Sequence, residues 1–396
     1  MAKALILLWS ALSLGFGALT LRPAPSEFLL KAKVVATEYG YAVSMIQAVL
    51  LFVTKPFRLK TGVVFNFLTT AAIAFSTACT VAPLVRGIFY ARDLSQRLDE
   101  SFAVIPKQRS LRPVVSLRRL PRLWPASLKS AEQIIFSQTE AYELEFDVFR
   151  PPHPTPGGDP CIVVVHGGKW TEGDSSDFAA LSPYLANQGY VVVGINYRKA
   201  DKYPFPAARD DLRAAIAYIK RNAQDLGVDA YRIALLGRSA GGQLASLVAY
   251  EQDDTSIRGV VSFYGPTDLV YGYYDPTDQR VIDTPETLGI YIRDAKDPDV
   301  RGTPDTAKDA YDAASPINFV KQSSPPTLLL HGSHDEMVHF VQSDRLSKQL
   351  EMFGVNHLYL RLPWATHGFD HNLWGPAGQI STYAVERFMQ RVLKED

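Results

Sequence analysis

The sequence predicts an α/β chain: a mostly parallel sheet with helices on both faces, preceded by a helical transmembrane region. Three observations carry that reading. Apolar β-runs alternate with helical patterns from residue 131 to residue 396. One of those runs, Cys161–Val165, is continuously apolar, as a strand covered on both faces must be. Residues 1–90 are far more apolar than the rest and hold three long charge-free stretches.

A chain of 396 residues holds two or three ordinary domains, or one large domain with an appendage. Lys+Arg and Asp+Glu balance at 41 each, so no global charge points to nucleic acid. Cys79 and Cys161 lie far apart in apolar runs and read as buried small hydrophobes, not as a disulfide framework or metal site.

In chain order, residues 4–21, 39–54 and 61–85 are the charge-free stretches. The last is long enough to cross a hydrocarbon core of about 30 Å as a helix. They read as a transmembrane anchor of two or three helices within residues 1–90. The first also fits a cleaved signal peptide, with Lys3 at its start and Gly15 and Gly17 available to flank a cut. The second also fits an interfacial or buried helix. Lys55, Arg58 and Lys60 in the tight loop are balanced by Arg22, Lys31, Lys33, Arg86, Arg92 and Arg97 on the opposite side, so charge assigns no side to the C-terminal part. Residues 91–130 form a basic juxtamembrane linker. Lys107, Arg109, Arg112, Arg118, Arg119, Arg122 and Lys129 surround Trp124 there, fitting anionic headgroups or a merely solvated linker equally well. Pro106, Pro113, Pro121 and Pro125 exclude one long amphipathic helix.

The C-terminal part, residues 131–396, opens with Ala131–Gln138 and Tyr142–Phe149, which read as paired strands. After the buried run at 161–165 come a helix at about 177–187, a strand at 190–195 and a helix at about 207–225. A strand and helix flanking Ser239 follow, then strands at about 257–264 and 326–330, a helix at about 338–353, a strand at 357–362 and a helix at about 376–394. Between these, at about 265–322, the alternation lapses into a segment holding Tyr271, Tyr273, Tyr274 and Tyr291. That insertion is placed to act as a lid with aromatic walls, or to be a plain surface excursion.

In such a sheet, reactive groups collect at the carboxyl ends of the strands. Gly237-Arg238-Ser239-Ala240-Gly241 sits at a strand-to-helix junction, where a tight turn exposes a serine hydroxyl beside a helix N-terminus. His166-Gly167-Gly168-Lys169-Trp170 follows the first buried strand, and paired glycines leave backbone N–H groups open to an oxyanion. His331-Gly332-Ser333-His334-Asp335-Glu336 and Ala365-Thr366-His367-Gly368 follow two later strands. Serine, acid, histidine is the chain order of an α/β-hydrolase triad. His331, His334, Asp335 and His339 are dense enough to raise a metal site, but Asp335 is needed elsewhere and their spacing fits no simple helical pair. Asp210 and Asp211 open a helix, where carboxylates complement its dipole.

From about residue 131 onward the chain resembles the α/β-hydrolase superfamily, in the esterase/lipase branch that includes hormone-sensitive-lipase-like and related carboxylesterases. The residues that carry the resemblance are His166-Gly167-Gly168, Asn196-Tyr197-Arg198, Pro204-Phe205-Pro206-Ala207-Ala208, Gly237-Arg238-Ser239-Ala240-Gly241, Asp335 and His367. Where the family usually has a third glycine, this chain has Lys169. The backbone N–H survives that change, and the lysine side chain must turn away.

The resemblance implies Ser239 as nucleophile, His367 as base and then acid, and Asp335 as the group that orients the imidazole. It implies an oxyanion hole from the N–H groups of Gly168, Lys169 and Ala240, supported by His166 and Gly167, with Trp170 and Tyr197 as candidate pocket walls or, equally, core residues. Glu336 adjoins Asp335 and competes for the acid role, but the family pattern favours Asp335; Asp370 and His371 belong to the following loop. The implied activity is cofactor-free, metal-free hydrolysis of carboxylic esters by a membrane-anchored serine esterase acting on a small-molecule or lipid ester, with membrane lipids as neighbours. Lipid or prenylcysteine methyl ester hydrolysis, or amide cleavage as in formamidases, fits the same triad. A non-catalytic ligand-binding member of the fold is the alternative from another class.

Overall fold

The computed structural model describes residues 2–60, 62–102, 113–121, 131–177 and 180–394. Helices α1 (Ala2–Leu19), α2 (Glu27–Glu38), α3 (Gly40–Leu59), α4 (Val63–Tyr90) and α5 (Leu94–Phe102) come first. The next elements are β1 (Glu132–Gln138), β2 (Glu143–Phe149), β3 (Asp159–Val165), α6 (Leu181–Ala186), β4 (Val191–Ile195), α7 (Ala207–Arg221), α8 (Ala223–Leu226), β5 (Val228–Arg238), α9 (Ala240–Glu251) and β6 (Ile257–Phe263). After β6 lie α10 (Leu269–Tyr274), α11 (Thr284–Tyr291) and α12 (Lys308–Ala314), then β7 (Thr327–Gly332), α13 (Val341–Met352), β8 (His357–Leu362) and α14 (Pro376–Lys394).

The strands form one sheet in the order β1-β2-β4-β3-β5-β6-β7-β8. β1 and β2 pair antiparallel, β2 runs antiparallel to β4, and the remaining neighbours are parallel. The continuous apolar run of β3 is explained by its place between β4 and β5. Its residues alternate, Cys161, Val163 and Val165 entering the core on one face and Ile162 and Val164 the core on the other. α7 and α9 cover the first face; α14 and α5 cover the second.

Packing crosses the expected boundary at residue 131. On α5, Leu94, Leu98 and Phe102 recur at the four-residue spacing of one helical face and are buried in the second core, with Phe102 edge-on to Phe388 at 4.9 Å. Within the described part of the basic segment, Ser116 N–H donates to Gln379 Oε1 at 2.8 Å, and the Leu120 carbonyl accepts from Tyr41 at 2.8 Å. Lys107, Arg109, Arg112, Arg122, Trp124 and Lys129 lie outside the described residues.

α3 over Gly40–Arg58 and α4 over Val63–Tyr90 are long and apolar enough to cross a membrane; α1, over Lys3–Leu19, is apolar but shorter. Their facing surfaces are polar and small. Ser44 and Thr80 share a hydrogen bond of 2.7 Å, and Gln47 bridges Ser76 and Thr77 at 2.9 Å each. A Cβ on Gly17 would lie 2.7 Å from the Ser76 Cα, so only glycine lets α1 approach α4 this closely. Their outer faces expose Phe52, Val63 and Phe67. The last turns of α4 rest on the hydrolase part: Gly87 lies against Pro376, Trp364 and Ile380, and Tyr90 meets Trp364 edge-on at 6.0 Å.

Candidate active site

β5 runs straight into Ser239, and α9 starts at the next residue. Ser239 has φ 52° and ψ −122°, a conformation that is costly for a residue with a Cβ. The neighbours enforce it. A Cβ on Gly237 would sit 2.0 Å from the Gly241 carbonyl oxygen, and one on Gly241 would sit 2.2 Å from that of Val165. Both glycines are therefore required by close backbone approach, and the serine hydroxyl is left at the sheet's carboxyl edge.

Two later strand ends bring the partners. His367 Nε2 is 3.0 Å from Ser239 Oγ, and His367 Nδ1 is 2.8 Å from Asp335 Oδ2. The other oxygen, Asp335 Oδ1, accepts from the N–H groups of Met337 (2.9 Å) and Val338 (2.8 Å), which fixes the carboxylate. These partners set the tautomer: Nδ1 donates to the carboxylate, leaving Nε2 to accept the serine proton. Burial alone would raise the Asp335 carboxyl, but the facing His367 and the hydrogen bond from His331 outweigh it and hold the group well below the usual carboxylate range. His331 is fully buried, with Nδ1 2.8 Å from Ser343 Oγ and Nε2 2.9 Å from the Val338 carbonyl and 3.3 Å from Asp335 Oδ2. Glu336 points the other way and pairs with Lys33.

The loop after β3 turns through positive φ at Gly168, Lys169 and Trp170, beside Ser239. Ala240 is the first residue of α9, where a helix leaves its N–H without an intrahelical acceptor. His166 ties the loop down: Nδ1 donates to the Gly167 carbonyl, and Nε2 accepts from Lys199 at 2.9 Å. Burial, then the Lys199 charge, pushes the imidazole down to about 3, so it stays neutral. Tyr197 stacks beneath that ring at 4.2 Å and donates to the His166 and Gly167 carbonyls. Of its two expected places, pocket wall or core, it takes the core behind the loop. Trp170 does reach the cavity; its Nε1 donates to Gln243 at 2.9 Å, and its ring stacks on Tyr291 at 4.2 Å. Lys169 keeps its amine off the serine by pairing with Glu172 (3.1 Å) and Glu27 of α2 (3.7 Å).

Two openings meet at Ser239. One, of about 50 Å³, is lined by Trp170, Ala240, Leu269, Ile282, Leu288 and Val338 among others and is mostly apolar. The other, of about 130 Å³, is bounded by Gly168, Lys169, Tyr264, Met337 and His367. The insertion after β6 therefore contributes to the wall, through Leu269, Ile282 and Leu288. Its expected aromatic walls are corrected: Tyr291 is buried behind Trp170, and Tyr271, Tyr273 and Tyr274 are not among the lining residues. A larger surface cleft of about 480 Å³, lined by Asp253, Asp254, Arg258 and Arg391, holds none of the residues above.

Sequence reasoning missed three supports. Asp370 is buried next to the elbow, accepting from Arg238 Nε and the Tyr264 hydroxyl at 2.5 Å each, and the Tyr264 ring packs on His367 at 4.3 Å. Asp211, assigned to the helix dipole, is buried and holds Arg198 through the guanidinium and the backbone N–H. The third is α2, whose Lys33 and Glu27 reach the acid loop and the oxyanion loop. Ser26 caps α2 at its start and is the local signal that finds this helix.

A parallel sheet with a serine elbow, a histidine and an acid at successive strand ends defines an α/β-hydrolase. The family model BD-FAE matches residues 146–350, just over half of the chain, and the chain belongs to that family. Among curated relatives, the probable carboxylic ester hydrolase LipM of Mycobacterium tuberculosis is 32% identical over 258 residues, 61% of this chain and 57% of that one. The esterase LipC of the same organism is 30% identical over 312 residues, 72% of this chain and 74% of that one. The chain spans only 57% and 54% of LipM and of the esterase LipQ. A thermophilic esterase from Thermogutta terrifontis, solved with propionate bound, superposes with a TM-score of 0.55 at 21% identity, over 68% of this chain and 98% of that one. At that identity the likeness concerns the fold.

Proposed function

We propose that the protein is a membrane-anchored serine hydrolase that cleaves carboxylic esters through an acyl-enzyme on Ser239. The observation that carries the reading is the unbroken line from Ser239 Oγ to His367 (3.0 Å) to Asp335 (2.8 Å) beside an open N–H loop. Ser239 Oγ attacks the ester carbonyl as its proton passes to His367 Nε2, and the carbonyl electron pair moves onto oxygen. The N–H groups of Gly168, Lys169 and Ala240 hold that oxyanion; one such donor contributes about 3–4 kcal/mol to the barrier reduction. The oxyanion collapses, the bond to the alcohol oxygen breaks, and His367 returns its proton to that oxygen. Water repeats the sequence, releasing the acid and restoring Ser239. Asp335 stays ionised throughout and stabilises the imidazolium.

The leaving oxygen must face His367, so the alcohol occupies the opening that His367 lines and the acyl group the smaller one. About 50 Å³ admits only a short acyl chain, since one water already needs about 10–15 Å³ on this measure. In this reading residues 1–90 anchor the chain, residues 131–396 catalyse with α5 packed into their core, and the insertion at about 265–322 covers the cleft. The full-length protein is expected to hydrolyse p-nitrophenyl butyrate and to be labelled at Ser239 by a fluorophosphonate. A Ser239→Ala variant as active as wild type would overturn the reading.

A further inference from the structure

The segment between the first two apolar helices does more than connect them. α2 presents two opposite faces. One face, carrying Leu30, Lys33, Ala36 and Thr37, is buried, and it is held at the catalytic cleft by three separate contacts. Lys33 Nζ is 2.5 Å from Glu336 Oε1, the residue next to the candidate acid, with both side chains largely buried. Glu27 is 3.7 Å from Lys169, which lines both openings at Ser239. Leu29 and Leu30 pack with Met337 and Val281, and Met337 lines both openings. The rim of the cleft is therefore partly made of the anchor.

The opposite face of α2 carries Phe28 and Val35, one turn pair apart, at 76% and 44% exposure. Exposed Lys31 lies between them on that side. The helix has no slack: α3 follows after Tyr39 alone, and α1 ends seven residues before its first turn. With α3 in a bilayer, α2 lies at the membrane surface, its apolar face turned to the acyl boundary and its cation among the headgroups. An ester dissolved in that leaflet reaches Met337 and Ser239 by passing α2, without crossing water.

We infer that the α2 face formed by Phe28 and Val35 is a lipid-contacting surface that admits bilayer-dissolved esters to the cleft: short acyl esters of long, lipophilic alcohols. The inference rests on the esterase reading above and adds the substrate's phase and its larger half. The alcohol is the larger half because the opening that His367 lines is the roomier of the two, about 130 Å³ against about 50 Å³.

The test uses full-length protein in phosphatidylcholine vesicles with two esters, hexadecyl acetate in the bilayer and p-nitrophenyl butyrate in water. The double variant Phe28→Asp/Val35→Asp is expected to lose about tenfold or more on hexadecyl acetate and to stay within about twofold on p-nitrophenyl butyrate. Phe28→Leu, which keeps an apolar side chain, is expected to retain both activities. The inference is overturned if the double variant keeps its rate on hexadecyl acetate, if both rates fall together, or if wild type cleaves only the water-soluble ester. Wild type inert toward both esters would sink the esterase reading itself, a distinguishable result.

Discussion

The hydrolase part and the helical bundle of α1, α3 and α4 are built inside out relative to each other. In the hydrolase part the apolar side chains are buried, and the polar groups retained inside include ion pairs such as Arg238–Asp370. In the bundle the apolar side chains Phe52, Val63 and Phe67 face outward, and the interior holds Ser44, Gln47, Ser76 and Thr80, with buried Arg58 at one end donating to Thr54, Asn66 and the Leu51 carbonyl. With the bundle embedded in a membrane, as proposed, different solvents explain the inversion. Water rewards burying hydrocarbon, whereas lipid offers no such gain, so helices associate there through close packing and interior hydrogen bonds. The comparison teaches that polar groups of equal burial carry unequal energies on the two sides.

The largest effect is expected at the meeting point of the buried hydrolase groups. Ser239→Ala should lower kcat on p-nitrophenyl butyrate by roughly 10⁴- to 10⁶-fold, as for serine hydrolases that lose the nucleophile. Next comes Asp370→Ala, which leaves Arg238 and Tyr264 without their carboxylate partner in a site only 2% exposed. Breaking such a buried pair costs about 3–5 kcal/mol, seen as a lowered Tm of the full-length protein. The bundle counterpart is Gln47→Leu, which removes the bridge to Ser76 and Thr77. An interhelical hydrogen bond of this kind is worth about 0.6 kcal/mol, so its Tm should barely move. Equal losses for Asp370→Ala and Gln47→Leu would break the comparison.

Between the two regions sits Glu38, the last residue of α2. Its Oε2 accepts from the N–H of Ala377 at 3.0 Å, at the start of α14. Burial, opposed by those N–H groups, raises its carboxyl to about 8. The folded state thus keeps a proton that the unfolded chain releases above its ordinary value of 4.5. The associated stability is complete below that value and is lost as pH rises through about 8. Tm should therefore fall from pH 6 to pH 9, and Glu38→Gln, with no proton to lose, should flatten that slope. An unchanged slope would remove Glu38 as its origin.

The sheet and the triad were legible because their signals are local. A buried strand reads as an unbroken apolar run such as Cys161–Val165, and Gly237 and Gly241 flank Ser239 because backbone oxygens lie 2.0 and 2.2 Å from where their Cβ atoms would be. Ser239, Asp335 and His367 stand at or just beyond strand ends in the order of the family triad, and the family pattern is what favoured Asp335 over Glu336 as the candidate acid. What was missed depends on distant partners. α2 carries Lys31, Lys33 and Glu38, polar groups that argue against a buried helix until Glu336 pairs with Lys33 and Glu38, holding its proton, docks on the α14 N-terminus. Asp370 gave no sign of its role, since Arg238 lies 132 positions earlier. Tyr197 and the tyrosines of the insertion were weighed as walls, and the bonds of Tyr197 to the His166 and Gly167 carbonyls and the stacking of Tyr291 on Trp170 were invisible in the sequence.

α4, at 28 residues, is about 42 Å long at 1.5 Å per residue, some 12 Å more than a hydrocarbon core of about 30 Å. Its surplus turns are the ones braced on Pro376, Trp364 and Ile380. With the bundle embedded as proposed, that helix acts as a mast of fixed height: Ser239 rides at a set distance from the leaflet and cannot dip toward it. Selection would then turn on reach, favouring molecules that hold their carbonyl at that one depth over any that are merely abundant.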